Sequence, residues 1–311
     1  MSHTIKIIRT STIPVSLNIF CKGLFQELQE KDGYNVIVVS SPSNELVEIA
    51  ERERVRTIAV SMERRISFWN DLKSLIRLVK VFHKERPQMV HSITPKAGLL
   101  SMIAAWICRV PVRLHTFTGL VFPTATGLTQ KILILTDRLT CACATHIVPE
   151  GEGIRHDLIN YNITKKPLKI LGYGNIRGID TEYYSIENKD VKAVADKIRM
   201  DGVFTFVFVG RLVRDKGINE LIEAFVKLNK EYVNTRLILV GAQEPELDPL
   251  LPETIKEIDS NKSIMAVGSQ RDVRPWFAAS DALVFPELSR RIPQCSYRGW
   301  GVWTSFNSDG Y

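Results

Sequence analysis

The segment VFVGRLVRDKG, Val207 to Gly217, gathers the residue types that hold a phosphate. A β-like run closes in Gly210, a loop carries Arg211, Arg214 and Lys216, and a helical pattern starts after Gly217. Glycine lets the chain turn and lets a ligand approach the backbone. Free N–H groups at the helix start, together with the cations, favour an anion there. A plain strand-to-helix turn with solvated basic side chains would carry the same letters, so the residues alone leave both readings standing.

Other candidates are weaker. RTSTIPVSLNIF, Arg9 to Phe20, is rich in hydroxyls, Ser16 among them. They can meet a ligand, but capping of a helix that begins at Pro14 is the plainer role. Lys96, in TPKAG, either contacts a phosphorylated partner or has no special role. His115 and His91 end β-like runs, where a histidine is more often simply hydrogen-bonded. CACATH holds Cys141, Cys143 and His146, but C-x-C without a second pair lacks zinc-site spacing, and no metal is expected. Lys73, Arg77, Lys80 and Lys84 form a basic stripe on a helix whose other face carries Leu72, Leu75, Ile76, Val79 and Phe82. A solvated face is the ordinary reading; contact with anionic lipid is the functional one.

The elements that must position these residues follow from the alternation of short apolar runs with helix-length amphipathic segments. IKIIRT precedes a helical pattern from Val15 to Glu30, VIVVS precedes ELVEIAERE, and RTIAVSM precedes a long helix from Phe68 to Glu85. MVHSI leads to a helix from Pro95 to Cys108, VRLHTF to one from Leu128 to Cys143, and HIVPE follows. A turn-rich seam, LGYGNIRGIDTEYY, interrupts the rhythm. It restarts with TFVFVG, TRLILVG, SIMAVGS and ALVFP, separated by helical segments. This predicts an α/β protein of two doubly wound, Rossmann-like parallel-sheet domains, residues 1–175 and 176–286, with ligands in the cleft between them. The chain has 311 residues, 45% hydrophobic and 24% charged, enough for two cores. Five cysteines give no disulfide framework, no signal-peptide layout opens the chain, and no apolar run spans a bilayer, so a cytoplasmic protein is expected. The formal charge of +7 suits phosphate-bearing ligands or an anionic membrane, but its diffuse spread argues against nucleic acid.

GRLVRDKGINELIEAF, LILVG and VGSQRDVRPWFAASDALVFP together resemble family 4 of the retaining, GT-B-fold glycosyltransferases. VHSITPKAGLLSMIAAWICRVPVRLHTFTGL is similar to the acceptor-side domain of members that build bacterial surface polysaccharides on a polyprenyl diphosphate. The resemblance covers residues 4–286. It implies a nucleotide-sugar donor held by the second domain, a lipid-linked or saccharide acceptor held by the first, and neither metal nor cofactor. Arg211 and Lys216 match the family's donor-diphosphate pair, with Gly210 at the turn. Val267, Gly268 and Ser269 match the loop near the base. His115 lies where a member places a residue against the transferred sugar, and is the catalytic candidate. Ser16 and Lys96 are acceptor-side candidates. Peripheral contact with the inner face of a membrane fits such an acceptor.

One part of the family pattern is absent. After the strand ending in F-P, members continue S-x-x-E-G-x-P and close an E-x7-E pattern whose carboxylates serve the donor sugar and ribose. This chain reads FPELSRRIPQCSYRGWG, and its only acids after Pro286 are Glu287 and Asp309. One synonymous coding string for Glu287 to Tyr311, re-read one base on, spells SYREGFPNVVIEAGAYGLPSIVTD. The codons of Trp300 and Trp303 then become the two glycines the pattern wants, and those of Arg290 and Arg298 become its two glutamates. Residues 287–311 are therefore expected to be out of frame. The second domain is expected to be incomplete and marginally stable, with a poorly ordered tail, and the chain to be inactive or nearly so. Two other readings remain at this level: a non-catalytic saccharide- or nucleotide-binding remnant or degraded gene product, and a nucleotide-sugar epimerase of the same architecture. The residues do not name the sugar, the nucleotide, the accepting hydroxyl or the oligomeric state.

Overall fold

The structure is a computed structural model, which describes residues 4–64, 67–172, 174, 176, 180, 182–185, 188–246 and 248–286. Positions 287–311, where the out-of-frame segment is expected, lie outside the described residues. The chain divides into two units, residues 1–177 and 178–311.

In the first unit the strands are β1 (Lys6–Thr10), β2 (Asn35–Ser40), β3 (Arg56–Ala59), β4 (Met89–Ile93), β5 (Val112–Phe117) and β6 (His146–Pro149). The helices are α1 (Pro14–Phe20), α2 (Leu24–Glu30), α3 (Asn44–Glu53), α4 (Phe68–Glu85), α5 (Pro95–Ile107), α6 (Gly127–Cys143) and α7 (Glu152–Asn160). The sheet order is β3-β2-β1-β4-β5-β6, every pair parallel. This is the doubly wound order, which reverses direction between β1 and β4. Val36 to Val39 of β2 are all buried, as a strand covered on both faces requires. One face packs Ile8, Ile37 and Val90 against Leu78 and Phe82 of α4, Leu100 of α5 and Cys141 of α6. The other packs Val36 and Val38 against Leu17 of α1, Phe25 of α2 and Ile49 of α3. Each such side chain contributes about 1.5–3 kcal/mol by leaving water.

The single helix expected from Val15 to Glu30 is two helices. Gly23 takes φ 82° between them, and the buried carboxylate of Glu53, from α3, accepts the N–H groups of Gly23 (2.8 Å) and Gln26 (3.4 Å). The apolar period runs on across the break, but the cap that makes the break comes from 30 residues away. On α4, Leu72 and Ile76 are 39% and 48% exposed, contrary to their expected place on the buried face. Ser74, Leu78 and Phe82 are buried instead, with Leu75 and Val79 beside them.

The second unit has strands β7 (Phe204–Val209), β8 (Thr235–Val240), β9 (Ile264–Gly268) and β10 (Ala282–Leu283), in the order β10-β7-β8-β9 and all parallel. Its helices are α8 (Lys189–Ile198), α9 (Ile218–Glu231), α10 (Pro252–Ser260) and α11 (Arg274–Ala278), with a 3-10 turn at Arg214–Lys216. Phe208, Leu237 and Leu239 pack against Ile218, Ile222 and Phe225 of α9 on one face. Val207, Ile238 and Val240 pack against Phe277 of α11 on the other. Among the described residues, this sheet repeats the first four strands of the other one's winding.

Candidate functional site

Two strand-end regions carry the candidate residues, one in each unit. In the second unit, β7 runs into Gly210, β8 into Gly241 and β9 ends at Gly268. These three glycines lie side by side: the N–H of Gly210 bonds to the carbonyl of Val240, and that of Gly241 to the carbonyl of Gly268, both at 2.9 Å. A Cβ at Gly241 would overlap the Gly210 carbonyl oxygen, so no other residue lets the two strands run this close. At Gly268, which has φ 67°, a Cβ would meet nothing. The sheet therefore ends in a floor of bare backbone. Gly241 was not among the residues singled out by the sequence, although all three strands close on the same Val-Gly pair.

The loop after Gly210 holds the cations. Arg211 is 42% exposed, and its guanidinium donates to Glu244 Oε2 at 2.6 Å. Lys216 is only 8% exposed. Arg214 points to Asp248, 3.7 Å away and 70% exposed itself. The Asp248 carboxylate also accepts the N–H of Asp215 at 2.8 Å, which pins the 3-10 turn. Gly217, with φ 70°, then starts α9 without any side-chain cap, and a Cβ there would overlap the Pro286 carbonyl oxygen. The loop between β7 and α9 thus carries one exposed and one buried cation, Arg211 and Lys216, just ahead of a helix start. Ser269 is exposed beside Gly268, while Val267 is half-buried and its carbonyl accepts from Gln270 at 2.7 Å.

In the first unit the corresponding ends are stitched by hydroxyls. Thr12, after β1, and Thr94, after β4, bring their Oγ1 atoms to 2.9 Å, and the Thr12 N–H donates to Thr94 Oγ1 at 3.1 Å. Thr12 Oγ1 also accepts the Ala97 N–H at 3.1 Å, in the first turn of α5. No side chain caps α1. The capping expected ahead of Pro14 is thus made for a different helix, because the winding brings α5 to the end of β1. Ser16 is half-buried within α1. Lys96 does not stand alone: its ammonium pairs with Asp71 of α4 at 2.7 and 2.9 Å.

Both histidines sit inside strands rather than at their ends. His115, the fourth residue of β5, is 1% exposed; it shares a 2.8 Å hydrogen bond with Ser92 Oγ and meets Phe117 edge-on. Gly98 of α5 leaves room for its ring, since a Cβ there would overlap the imidazole. Burial drives its pKa down to about 3, so the ring is neutral. His91 bridges Arg9 and Thr116, the latter at 2.8 Å. Burial first, and then the Arg9 charge, hold it well below the ordinary histidine range. Arg9 was passed over in the sequence and is 5% exposed. It reaches Cys21 Sγ at 3.3 Å and lies 5.9 Å from the Phe25 ring centroid, while its Nε has no hydrogen-bond partner. Cys141 and Cys143 are buried in the core, and burial pushes the Cys141 thiol up to about 12.

Comparison with known proteins fits this arrangement. Residues 18–174 match the model described as glycosyl transferase 4-like domain, and residues 203–298 match that of glycosyl transferases group 1. The chain is 32% identical over 287 residues to the capsular polysaccharide biosynthesis glycosyltransferase CapM of Staphylococcus aureus, covering 90% of this chain and 72% of that protein. It is 26% identical over 273 residues to the UDP-Gal:alpha-D-GlcNAc-diphosphoundecaprenol alpha-1,3-galactosyltransferase of Escherichia coli, covering 86% and 69%. Among solved structures, Anabaena HepE in complex with UDP and glucose superposes with a TM-score of 0.70 at 16% identity, covering 90% of this chain and 74% of that one. The fold is GT-B, two Rossmann-like parallel-sheet domains, the second with the smaller sheet among the described residues. The chain belongs to glycosyltransferase family 4, the retaining GT-B transferases.

Proposed function

We propose that the chain descends from an enzyme that moves a sugar from a nucleotide donor, with retention at the anomeric carbon, onto a lipid-linked or saccharide acceptor of a surface polysaccharide. The observation that carries this is the glycine floor at Gly210, Gly241 and Gly268 beside Arg211 and Lys216. The donor diphosphate lies over the floor, where backbone approach is unhindered. Arg211 and Lys216 stabilise the leaving diphosphate as the bond to the sugar breaks. Val267, Gly268 and Ser269 lie towards the base. Glu244 competes with the diphosphate for the Arg211 guanidinium, so binding a donor exchanges one anion for another. The first unit takes the acceptor, with Ser16 and Lys96 on its side. For His115 we assign a positioning role: a neutral ring, 1% exposed, ties β4 to β5 through Ser92. The acceptor class follows the E. coli relative, whose name states a saccharide on diphosphoundecaprenol.

We further propose that the chain as written turns over slowly, because residues 287–311 hold no pair of carboxylates eight positions apart, as E-x7-E requires. The test is a transfer assay with UDP-sugars and a polyprenyl-diphosphate-linked saccharide. It is run on this chain and on one whose reading frame is shifted by one base after Pro286. UDP should bind to both, and efficient transfer should be seen only with the second. Efficient transfer by the first contradicts the assignment of the missing glutamates. Sequencing the coding DNA from the Phe285 codon onward checks the frame itself.

A further inference from the structure

The outer edge of the first unit carries a groove. Helix α7 supplies one wall, with Glu152, Arg155 and Ile159 at the i, i+3, i+7 spacing of one stripe. After α7 the chain turns back and runs beside β6, where Leu168 bridges Ile147 in the parallel sense. Thr164, Lys166, Leu168, Ile170 and Gly172, every second residue, supply the other wall. Two cavities of about 240 and 420 Å³ share Arg155 and Leu168 in their walls and so form one groove. Helix α7 starts where β6 ends, and the returning chain is parallel to β6. Glu152 and Gly172 therefore mark the mouth of the groove, at the carboxyl end of the strand.

Its walls are cationic, with apolar stretches between the charges. The Arg155 side chain is 42% exposed, and its Nη1 donates to both oxygens of Glu152, at 3.1 and 3.3 Å. Its Nε–H is buried with no acceptor. A buried donor left open is unfavourable, and an acceptor arriving along the groove would satisfy it. The free edge of the guanidinium fork suits a carboxylate or phosphate, which it can hold by two parallel N–H bonds. The Lys166 ammonium donates to the carbonyls of Cys141, Ala142 and Ala144 and closes the end of α6, while Lys165 and Lys169 are exposed. Among the described residues these lysines pair with no acid, and Glu152 is the only acid lining the groove. Ile159 is exposed, and Leu168 and Ile170 are half-buried between the cations. Thr164 Oγ1 accepts the Lys166 N–H at 3.1 Å and keeps its own proton for a ligand. A round pocket would suit a single ion. A long groove with spaced cations, apolar patches and a hydroxyl suits a saccharide chain that carries acids.

We propose that the groove between α7 and residues 164–172 binds an anionic stretch of a saccharide chain, with Arg155 as its central contact. The saccharide class rests on the reading of the chain as a polysaccharide transferase; the groove itself lies wholly within the first unit. The test is calorimetry on the full chain with a short oligogalacturonate, with a neutral maltooligosaccharide of the same length, and with UDP. The acidic chain should bind about tenfold more tightly than the neutral one, and the difference should shrink at high salt. Arg155→Gln should weaken the acidic chain about tenfold and Lys165→Gln about two- to threefold, and both should leave UDP unchanged. In the unaltered chain, bound oligogalacturonate should protect Lys165 from acetylation, read by mass spectrometry, which keeps the test independent of any variant's folding. Equal affinity for the two saccharides, or an Arg155→Gln chain that binds as before, overturns the proposal. So does inorganic phosphate binding as tightly as the acidic saccharide, since the site would then take a lone ion. Tighter binding of an oligoglutamate of equal charge also overturns it, since the occupant would be an acidic peptide. UDP binding without saccharide discrimination removes the groove alone; saccharide discrimination without UDP binding removes the donor reading and leaves the groove standing.

Discussion

The two units share one winding and end their strands in opposite ways. At the ends of β1 and β4, Thr12 and Thr94 bond to each other and to α5, so the backbone there is spoken for by its own side chains. At the ends of β7, β8 and β9 stand three glycines, so the backbone is left bare. The charges differ in the same sense. In the first unit Arg9 is sealed inside the sheet beside His91 and Phe25, whereas in the second Arg211 stands on the surface with Glu244. A doubly wound sheet supplies a ligand position at its strand ends, but the local side chains decide whether that position is filled from within or kept for a small anionic partner.

The sharpest way to break this comparison is to fill the floor. Gly241→Ala places a methyl on the Gly210 carbonyl oxygen, and should destabilise the second unit by about 3 kcal/mol or more. Gly268→Ala, strained only by its φ, should cost about 1 kcal/mol. Urea melts of the two variants measure the gap, and equal costs would mean the strands do not need their close approach.

The first unit has its own signature in pH. Burial raises the Asp137 carboxyl to about 7, far above its unfolded value of 3.8. Between those values the folded state keeps a proton that the unfolded state has lost. Its neutral form is therefore compatible with full stability below about pH 4, and stability falls as pH rises to about 7, by up to about 1.4 kcal/mol per unit. Asp137→Asn should remove that fall, as denaturant melts across the range would show; an unchanged slope would place the titration elsewhere.

Smaller effects refine the picture. Glu53→Gln weakens the remote cap of α2 and should cost about 1–2 kcal/mol in a thermal melt. Glu244→Gln frees the Arg211 guanidinium and should tighten UDP by a few-fold in calorimetry; weaker binding would show that Glu244 helps to hold the nucleotide.

What the sequence disclosed divides along the same line. Periodicity placed α4, α5, α6 and α9 and the strands that pair, because each carries its signal within its own length. Gly210, Arg211 and Lys216 were legible because a strand, a turn and a helix start follow one another in eleven residues. Contacts made at long range were not. Glu53 breaks a continuous apolar period from another helix, and Thr12 caps α5 across 85 positions. Leu72 and Ile76 fit a buried stripe by spacing, and only the packing of α4 shows that the stripe lies further round. His115 was read at a strand end because the letters VRLHTF do not say where the strand stops. The short α7, GEGIRHDLIN with its flanking glycine, has too little apolar period to announce itself.

The most direct measurement is a calorimetric titration of UDP into the full chain and its variants. Arg211→Ala and Lys216→Met should each weaken binding by about 10- to 100-fold, the worth of a charge-assisted contact, while Ser16→Ala and Lys96→Ala leave it unchanged. Unaltered affinity in the first pair, or a loss confined to the second, would contradict the placement of the donor on the glycine floor.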